Sequence, residues 1–229
     1  MIVLMSAFLL LSAFSCGGGN KANSTSEQSE ETAVNVPQFD ADSAYLYVKN
    51  QVDFGPRVPN TKEHVACGNY LAGQLEAFGA QVTNQYADLI AYDGTLLKAR
   101  NIIGSYKPES KKRIALFAHW DTRPWADNDP DEKNHNTPIL GANDGASGVG
   151  ALLEIARLVN QQQPELGIDI ILLDAEDYGA PQFYTGQHKE EFWCLGSQYW
   201  ARNPHVQGYN ARFGILLDMV GGEGSVFMK

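Results

Sequence analysis

Three apolar runs in this chain each end on residues that bind metals or move protons. Ile114-Ala-Leu-Phe-Ala118 runs into His119, Ile170-Ile-Leu-Leu173 into Asp174, Glu176 and Asp177, and Ile215-Leu-Leu217 into Asp218. Such runs read as strands buried on both faces, and an open α/β sheet binds its ligands beyond the carboxyl ends of its strands. One acid after a strand is ordinary loop punctuation. Three strands ending this way aim their polar residues at a single crevice, so the fold must assemble its site from segments far apart in the chain.

The other elements fit around these strands. Asp40 or Asp42 caps a first helix reaching Val52, with Tyr45, Val48 and Val52 on its inner face, and Gly55-Pro56 stops it. Asn60 with Glu63 has the form of a capping box, and Gly68, Leu71, Leu75 and Phe78 make the core stripe of a second helix that Gly79 ends. Strand formers at Gln81–Tyr92 and Leu96–Tyr106 flank an Asp93-Gly94 hairpin signal. Between Trp120 and Leu140 a polar segment rich in Asp, Asn and Pro is expected to overhang the crevice. Val149, Leu152, Leu153, Ala156 and Val159 then give helical spacing before the strand into Asp174, which predicts a strand, crossover helix, strand unit. A short helix over Leu195–Arg202 and a third buried strand over Phe213–Met219 complete the pattern. With 229 residues and 44% hydrophobic content, the expectation is one α/β domain with a mixed, mostly parallel central sheet flanked by helices.

The formal charge of -10 argues against nonspecific nucleic-acid binding, which needs Lys and Arg to displace counterions from phosphates. Met1–Ser15 holds no charged residue and has the size of a signal-peptide hydrophobic region. With small Ala13 and Ser15 ahead of Cys16, the segment resembles a bacterial lipoprotein signal. That predicts export, a lipid on Cys16, membrane anchoring, and a periplasmic or cell-surface location, with plain secretion after cleavage nearby as the alternative. Residues 16–36 are too polar to fold and read as a lipidated Cys followed by a flexible tether, leaving 37–229 as the catalytic domain. Cys67 and Cys194 are able to pair in an oxidising compartment, and spacing leaves that open.

His119 and Asp121 stand two apart at a strand end, a spacing that lets an imidazole reach a metal while the carboxylate orients it. Asp144 lies in Gly141-Ala-Asn-Asp-Gly-Ala-Ser-Gly148, where small residues permit close approach; an Asp capping the following helix is the alternative. The adjacent carboxylates Glu176 and Asp177 point differently enough for one to ligate while the other handles protons, or else they form a solvated acidic turn. Burying Asp218 unpaired is costly, so a metal or donor is expected beside it. Together these oxygen and nitrogen donors suit zinc in an open catalytic site.

The order His119-x-Asp121, Asn143-Asp144-Gly-Ala-Ser-Gly148, Asp174-Ala-Glu176-Asp177, Leu195-Gly-Ser197 and Leu217-Asp218-Met219 resembles the zinc aminopeptidase superfamily that also contains the glutaminyl cyclases, over Phe39 to Val220. Within it, Arg57-Val58-Pro59, His119-Trp-Asp-Thr-Arg-Pro-Trp-Ala126 and Asp129-Pro-Asp131 before Thr137-Pro-Ile-Leu-Gly-Ala-Asn-Asp144 resemble the bacterial glutaminyl-peptide cyclotransferases. The resemblance implies that Asp144 and Asp177 ligate zinc and that Glu176 is the general acid/base. It implies that Asp218 hydrogen-bonds the reacting amide in a cyclase, or joins His119 on a second zinc in an aminopeptidase. Asp177 stands where relatives usually carry Glu. Trp193 matches an aromatic of the family's pocket, with an ordinary core position equally open, and Trp120 and Trp125 are expected to wall the same pocket. The family's late closing His has no counterpart before Lys229, so the chain is expected to be incomplete at its C-terminus, and His188 and His205 are expected at the surface. The implied activity converts N-terminal Gln of peptides or proteins to pyroglutamate with release of ammonia. Zinc aminopeptidase activity is the alternative, and a non-catalytic binding lipoprotein of the same fold is a second.

Overall fold

The computed structural model describes residues 35–226; the signal segment, Cys16 and nearly all of the tether lie outside them. Helix α1 (Ala41–Val52) is capped by Asp40, whose carboxylate accepts from the amides of Asp42 and Ser43. Its inner face is the expected one only in part: Val48, against Gly150, and Val52 are half-buried, but Tyr45 is 72% exposed, while Tyr47 packs against the core and Gln51 is buried. Helix α2 (Lys62–Ala77) starts at Thr61 rather than Asn60, with the Thr61 side chain accepting from the His64 amide. Asn60 instead takes a left-handed φ of 76° and ties the loop to the sheet through the backbone of Leu96 and Lys98. The expected capping box at Asn60 does not form, because the contact to the sheet takes the Asn60 side chain and leaves the cap to Thr61.

Strands β1 (Gln81–Ile90) and β2 (Leu96–Tyr106) form an antiparallel hairpin in register from Gln81↔Ser105 to Ile90↔Leu96. Gly94 supplies the positive φ of the turn, and Asp93 accepts from the Thr95 amide. Strand β3 (Arg113–His119), helix α3 (Ala146–Gln161) and strand β4 (Gly167–Leu173) make the crossover unit, with β3 and β4 parallel. Val149, Leu152, Leu153, Ala156 and Val159 are all buried, as the spacing predicts. Each large apolar side chain among them contributes roughly 1.5–3 kcal/mol of burial. Helix α4 (Leu195–Arg202) and the short strand β5 (Gly214–Leu216) follow.

The sheet order is β1-β2-β4-β3-β5. Only β2 runs against the others, so the carboxyl ends of β3, β4 and β5 open on the same side. The third strand departs from expectation: it spans three residues, and Ile215 and Leu216 are 44% and 62% exposed. Among the described residues β5 pairs with β3 alone and so forms an edge, which is why its apolar side chains lack the two-sided cover that the run suggested.

At the opposite end of the sheet a buried ionic network ties the strands together. Asp169 of β4 takes a two-pronged contact from Arg113 of β3 and accepts from Ser105 of β2 and the Tyr209 hydroxyl. His205, expected at the surface, joins this network: its side chain is 3% exposed and packs against Trp200 and Tyr209. His188 is exposed, as expected. Cys67 and Cys194 are both free thiols.

Candidate active site

The crevice is built from three connections that leave the same side of the sheet, after β3, β4 and β5. β3 ends in His119, whose Nε2 lies 2.9 Å from Asp144 Oδ1 and 3.5 Å from Asp218 Oδ1. Donor atoms of His119, Asp144 and Asp218 all fall within 4.8 Å of one another. Asp144 does not cap α3: that position belongs to Gly145, which makes no side-chain cap bond, and the Asp144 carboxylate is left for the crevice. Gly145 has a φ of 93°, and a β-carbon there would stand 2.8 Å from the Asp121 carbonyl and 3.3 Å from the His119 ring. The close approach of the loop to the imidazole therefore requires glycine.

Asp121 is fully buried, and its two carboxylate oxygens accept the amides of Glu176 and Asp177 at 3.0 and 3.1 Å. The loop after β3 thus holds the turn after β4. Burial alone would raise the Asp121 pKa, but the His119 imidazole and these two amides outweigh it and lower it. For His119 burial disfavours the charge, and Asp121, Asp144 and Asp218 together overcome it, so its pKa is raised. Asp218 is lowered by its contact with His119.

Glu176 is raised above the ordinary carboxylate range, chiefly by burial. Its Oε1 accepts from the Cys194 thiol at 3.1 Å, and burial together with Glu176 pushes that thiol up to about 12. Asp177 is pushed up to about 8 by burial and by the negative charges of Asp121 and Asp144. One of its oxygens, Oδ2, is buried without a hydrogen-bond partner. A buried carboxylate oxygen without a donor, beside two other acids, fits a site that takes a divalent cation, and the oxygen and nitrogen donor set suits zinc.

Two cavities share this group of acids. One, of about 330 Å³, is lined by His119, Glu176, Cys194, Ser197, Trp200 and Asp218, with apolar side chains behind them. The other, of about 320 Å³, is lined by Arg123, Asp127, Asp144, Asp177, His188 and Trp193. Glu176 and Asp177, adjacent in sequence, face different cavities.

The three tryptophans separate. Trp193 lies in the second cavity, its ring against Gly179 and 4.9 Å from the Arg123 guanidinium. Trp120 does not wall a pocket: it is fully buried, stacked on His64 at 4.3 Å, with its indole N–H donating to the Arg100 carbonyl. Side chains alternate along an extended segment, so a residue between His119 and Asp121 is turned away from the crevice they face. Trp125 packs edge-on against Tyr92 and Tyr178 and lines neither cavity.

Arg57 and Arg123 fall within the tracts that carry the family resemblance, but the sequence assigned them no role at the site. Arg57 is fully buried and donates to the carbonyls of Trp120, Leu140 and Gly141, clasping both ends of the loop that carries Asp121 and leads into Asp144. Arg123 pairs with Asp127 and reaches the Asp177 carbonyl at 3.2 Å. The Arg123–Asp127 spacing of four was the available signal for the second; for Cys194 the sequence carries none.

Residues 101–229 match the model of peptidase family M28. The chain belongs to that family. Among solved M28 relatives, a glutaminyl cyclase from Bacteroides thetaiotaomicron bound to N-acetylhistamine is 94% identical, with a TM-score of 0.84 over 84% of this chain and 66% of its own. A leucine aminopeptidase precursor from Bacteroides thetaiotaomicron VPI-5482 is likewise 94% identical, with a TM-score of 0.84 over 84% of this chain and 67% of its own. A Zn-dependent exopeptidase from Parabacteroides distasonis ATCC 8503 is 64% identical, with a TM-score of 0.82 over 84% of this chain and 65% of its own. The M28 chain thus spans about two thirds of these solved relatives, and 32% and 23% of two curated proteins that it matches.

Proposed function

We propose that this chain carries the catalytic site of a zinc-dependent glutaminyl-peptide cyclotransferase acting on peptides or proteins with N-terminal Gln. The observation that carries the reading is that Glu176 and Asp218 stand on the wall of one small cavity beside the Asp144 and Asp177 carboxylates. The likeness to a solved glutaminyl cyclase supports it.

In this reading the substrate's α-amine attacks its own γ-carbonyl carbon, a carbon–nitrogen bond forms, and the bond to the amide nitrogen breaks. Glu176 takes the proton from the attacking amine and returns it to the departing nitrogen, which leaves as ammonia. Its raised pKa suits a group that must both accept and release a proton. Asp218, held ionised by His119, accepts a hydrogen bond from the amide nitrogen and fixes which way it leaves. Phe117, Leu173 and Trp200 form the apolar wall behind Glu176. Asp144 and Asp177 hold the zinc, which when bound supplies Lewis acidity at the amide oxygen.

A second reading, aminopeptidase activity, is favoured by the convergence of His119, Asp144 and Asp218, a donor set suited to a second metal ion. A Gln-initiated peptide separates the two. Cyclisation releases ammonia and blocks the amino terminus; liberation of free amino acids would overturn the proposal. Glu176→Gln is expected to abolish turnover while zinc stays bound, and full activity in that variant would remove Glu176 from the mechanism.

The apolar Met1–Ser15 segment ahead of Cys16 supports an exported lipoprotein anchored at the membrane and facing the periplasm or exterior. Cys16→Ala is expected to release the protein from the membrane fraction, and unchanged retention would reject the anchor.

A further inference from the structure

The turn that presents Glu176 and Asp177 is gripped from two sides. The amides of Cys194, Leu195 and Gly196, at the start of α4, donate to the carbonyls of Glu176, Ala175 and Asp174 at 3.0, 2.9 and 3.0 Å. The turn's own amides are taken by two buried carboxylates: Ala175 by Asp174 Oδ1 at 2.7 Å, Glu176 and Asp177 by Asp121. Ala175 has a φ of 49°, a left-handed conformation that its β-carbon disfavours, so the turn keeps this shape only while its bonds hold.

Asp174 is itself fully buried and accepts from the Arg100 amide at 2.6 Å and from His64 Nε2 at 2.8 Å, besides the Ala175 amide. Of these three donors only His64 is a side chain. It comes from α2, is 3% exposed, lines neither cavity, and has its ring fixed by the stack on Trp120.

We propose that His64 is a positioning residue for the catalytic turn: its Nε2–H anchors the Asp174 carboxylate, which in turn pins the Ala175 amide and fixes where Glu176 and Asp177 stand. Without that donor a carboxylate in so dry a place takes up a proton, and a protonated oxygen donates where it previously accepted. His64 and the Arg100 amide share Oδ2, so the carboxyl that has lost His64 is free to rotate about its Cβ–Cγ bond, the Oδ1 that pins the Ala175 amide moves with it, and the left-handed turn relaxes.

The link to catalysis rests on the acid/base role of Glu176 given above; the link to the turn does not. Hydrogen exchange over residues 174–178 reads the turn directly and needs no activity. His64→Leu is expected to speed exchange there by about tenfold or more, His64→Gln, which keeps an N–H donor, to restore most of the protection, and Asp174→Asn to match His64→Leu. Leu71→Ala, which empties a fully buried site on the same helix, is expected to lower stability without this local acceleration. In turnover assays His64→Leu is expected to lose roughly a hundredfold in kcat with KM little changed, the scale set by a displacement of about 1 Å in a reacting group. Exchange at 174–178 that is no faster in His64→Leu and Asp174→Asn than in Leu71→Ala would reduce His64 to a core residue and overturn the proposal. A parent protein without cyclase activity would overturn the proposed function alone, since the exchange result stands without it.

Discussion

Arg57→Met removes a guanidinium that holds three backbone carbonyls while keeping an unbranched side chain of comparable length. The structure sets the size of the effect. Arg57 is fully buried and donates to Trp120, Leu140 and Gly141 at 3.1, 2.7 and 2.8 Å; its loss strands the buried Trp120 carbonyl, while the Gly141 carbonyl keeps the Ala146 amide at 3.2 Å and that of half-exposed Leu140 turns to water. The stranded carbonyl costs about 1–3 kcal/mol, and the loss of each of the other two charge-assisted bonds about 1.5 kcal/mol. Part of this is recovered, because the desolvation of a buried cation is no longer incurred. The net expectation is roughly 3–4 kcal/mol, a large part of the 5–15 kcal/mol that holds a typical domain. With a urea m-value of about 2 kcal/mol/M, the unfolding midpoint should fall by about 2 M at constant m. Because Arg57 clasps the loop bearing Asp121 and leading to Asp144, zinc affinity should fall along with stability. A midpoint shift below about 0.5 M, with zinc affinity unchanged, would refute the reasoning and make Arg57 an ordinary buried residue.

Two further outcomes follow from the charge pattern. Asp177 has a folded-state pKa raised to about 8 from an ordinary 3.8, so its protonation favours the folded state at low pH and that contribution is lost as pH rises toward 8. Chelator-treated protein should therefore lose about 2 kcal/mol between pH 6 and pH 8 that Asp177→Asn does not lose, measured by urea unfolding at both pH values; identical pH dependence in the two proteins would exclude the assignment. At the far end of the sheet, Asp169→Ala leaves Arg113 buried without its counter-charge and should cost about 3–5 kcal/mol, whereas replacing both with apolar residues should cost much less. A double variant as unstable as the single one would contradict this.

Much of the fold was legible because its signals are local. The hairpin at Asp93-Gly94, the buried stripe of α3 and the span of α4 rest on periodicity and turn chemistry within about a dozen residues, and all appear where expected. The acids were legible for a related reason. His119, Glu176, Asp177 and Asp218 follow apolar runs, and the parallel order of β4, β3 and β5 brings those run ends to one side of the sheet. At Asn60 the local capping signal misled, because a contact to β2 takes that side chain and Thr61 caps α2 instead.

What the sequence determined by itself was the kind of protein: an α/β sheet whose strand ends gather acids and an imidazole, because burial and strand direction follow from the pattern of apolar residues. Tertiary structure alone decided which way each polar group turns. It sent Trp120 inward to stack on His64, gave Asp174 to that histidine, and turned Asp144 away from its helix toward His119. These outcomes depend on distances of a few ångströms between residues tens of positions apart. Hydrogen bonding and desolvation act on those distances, and no local pattern encodes them.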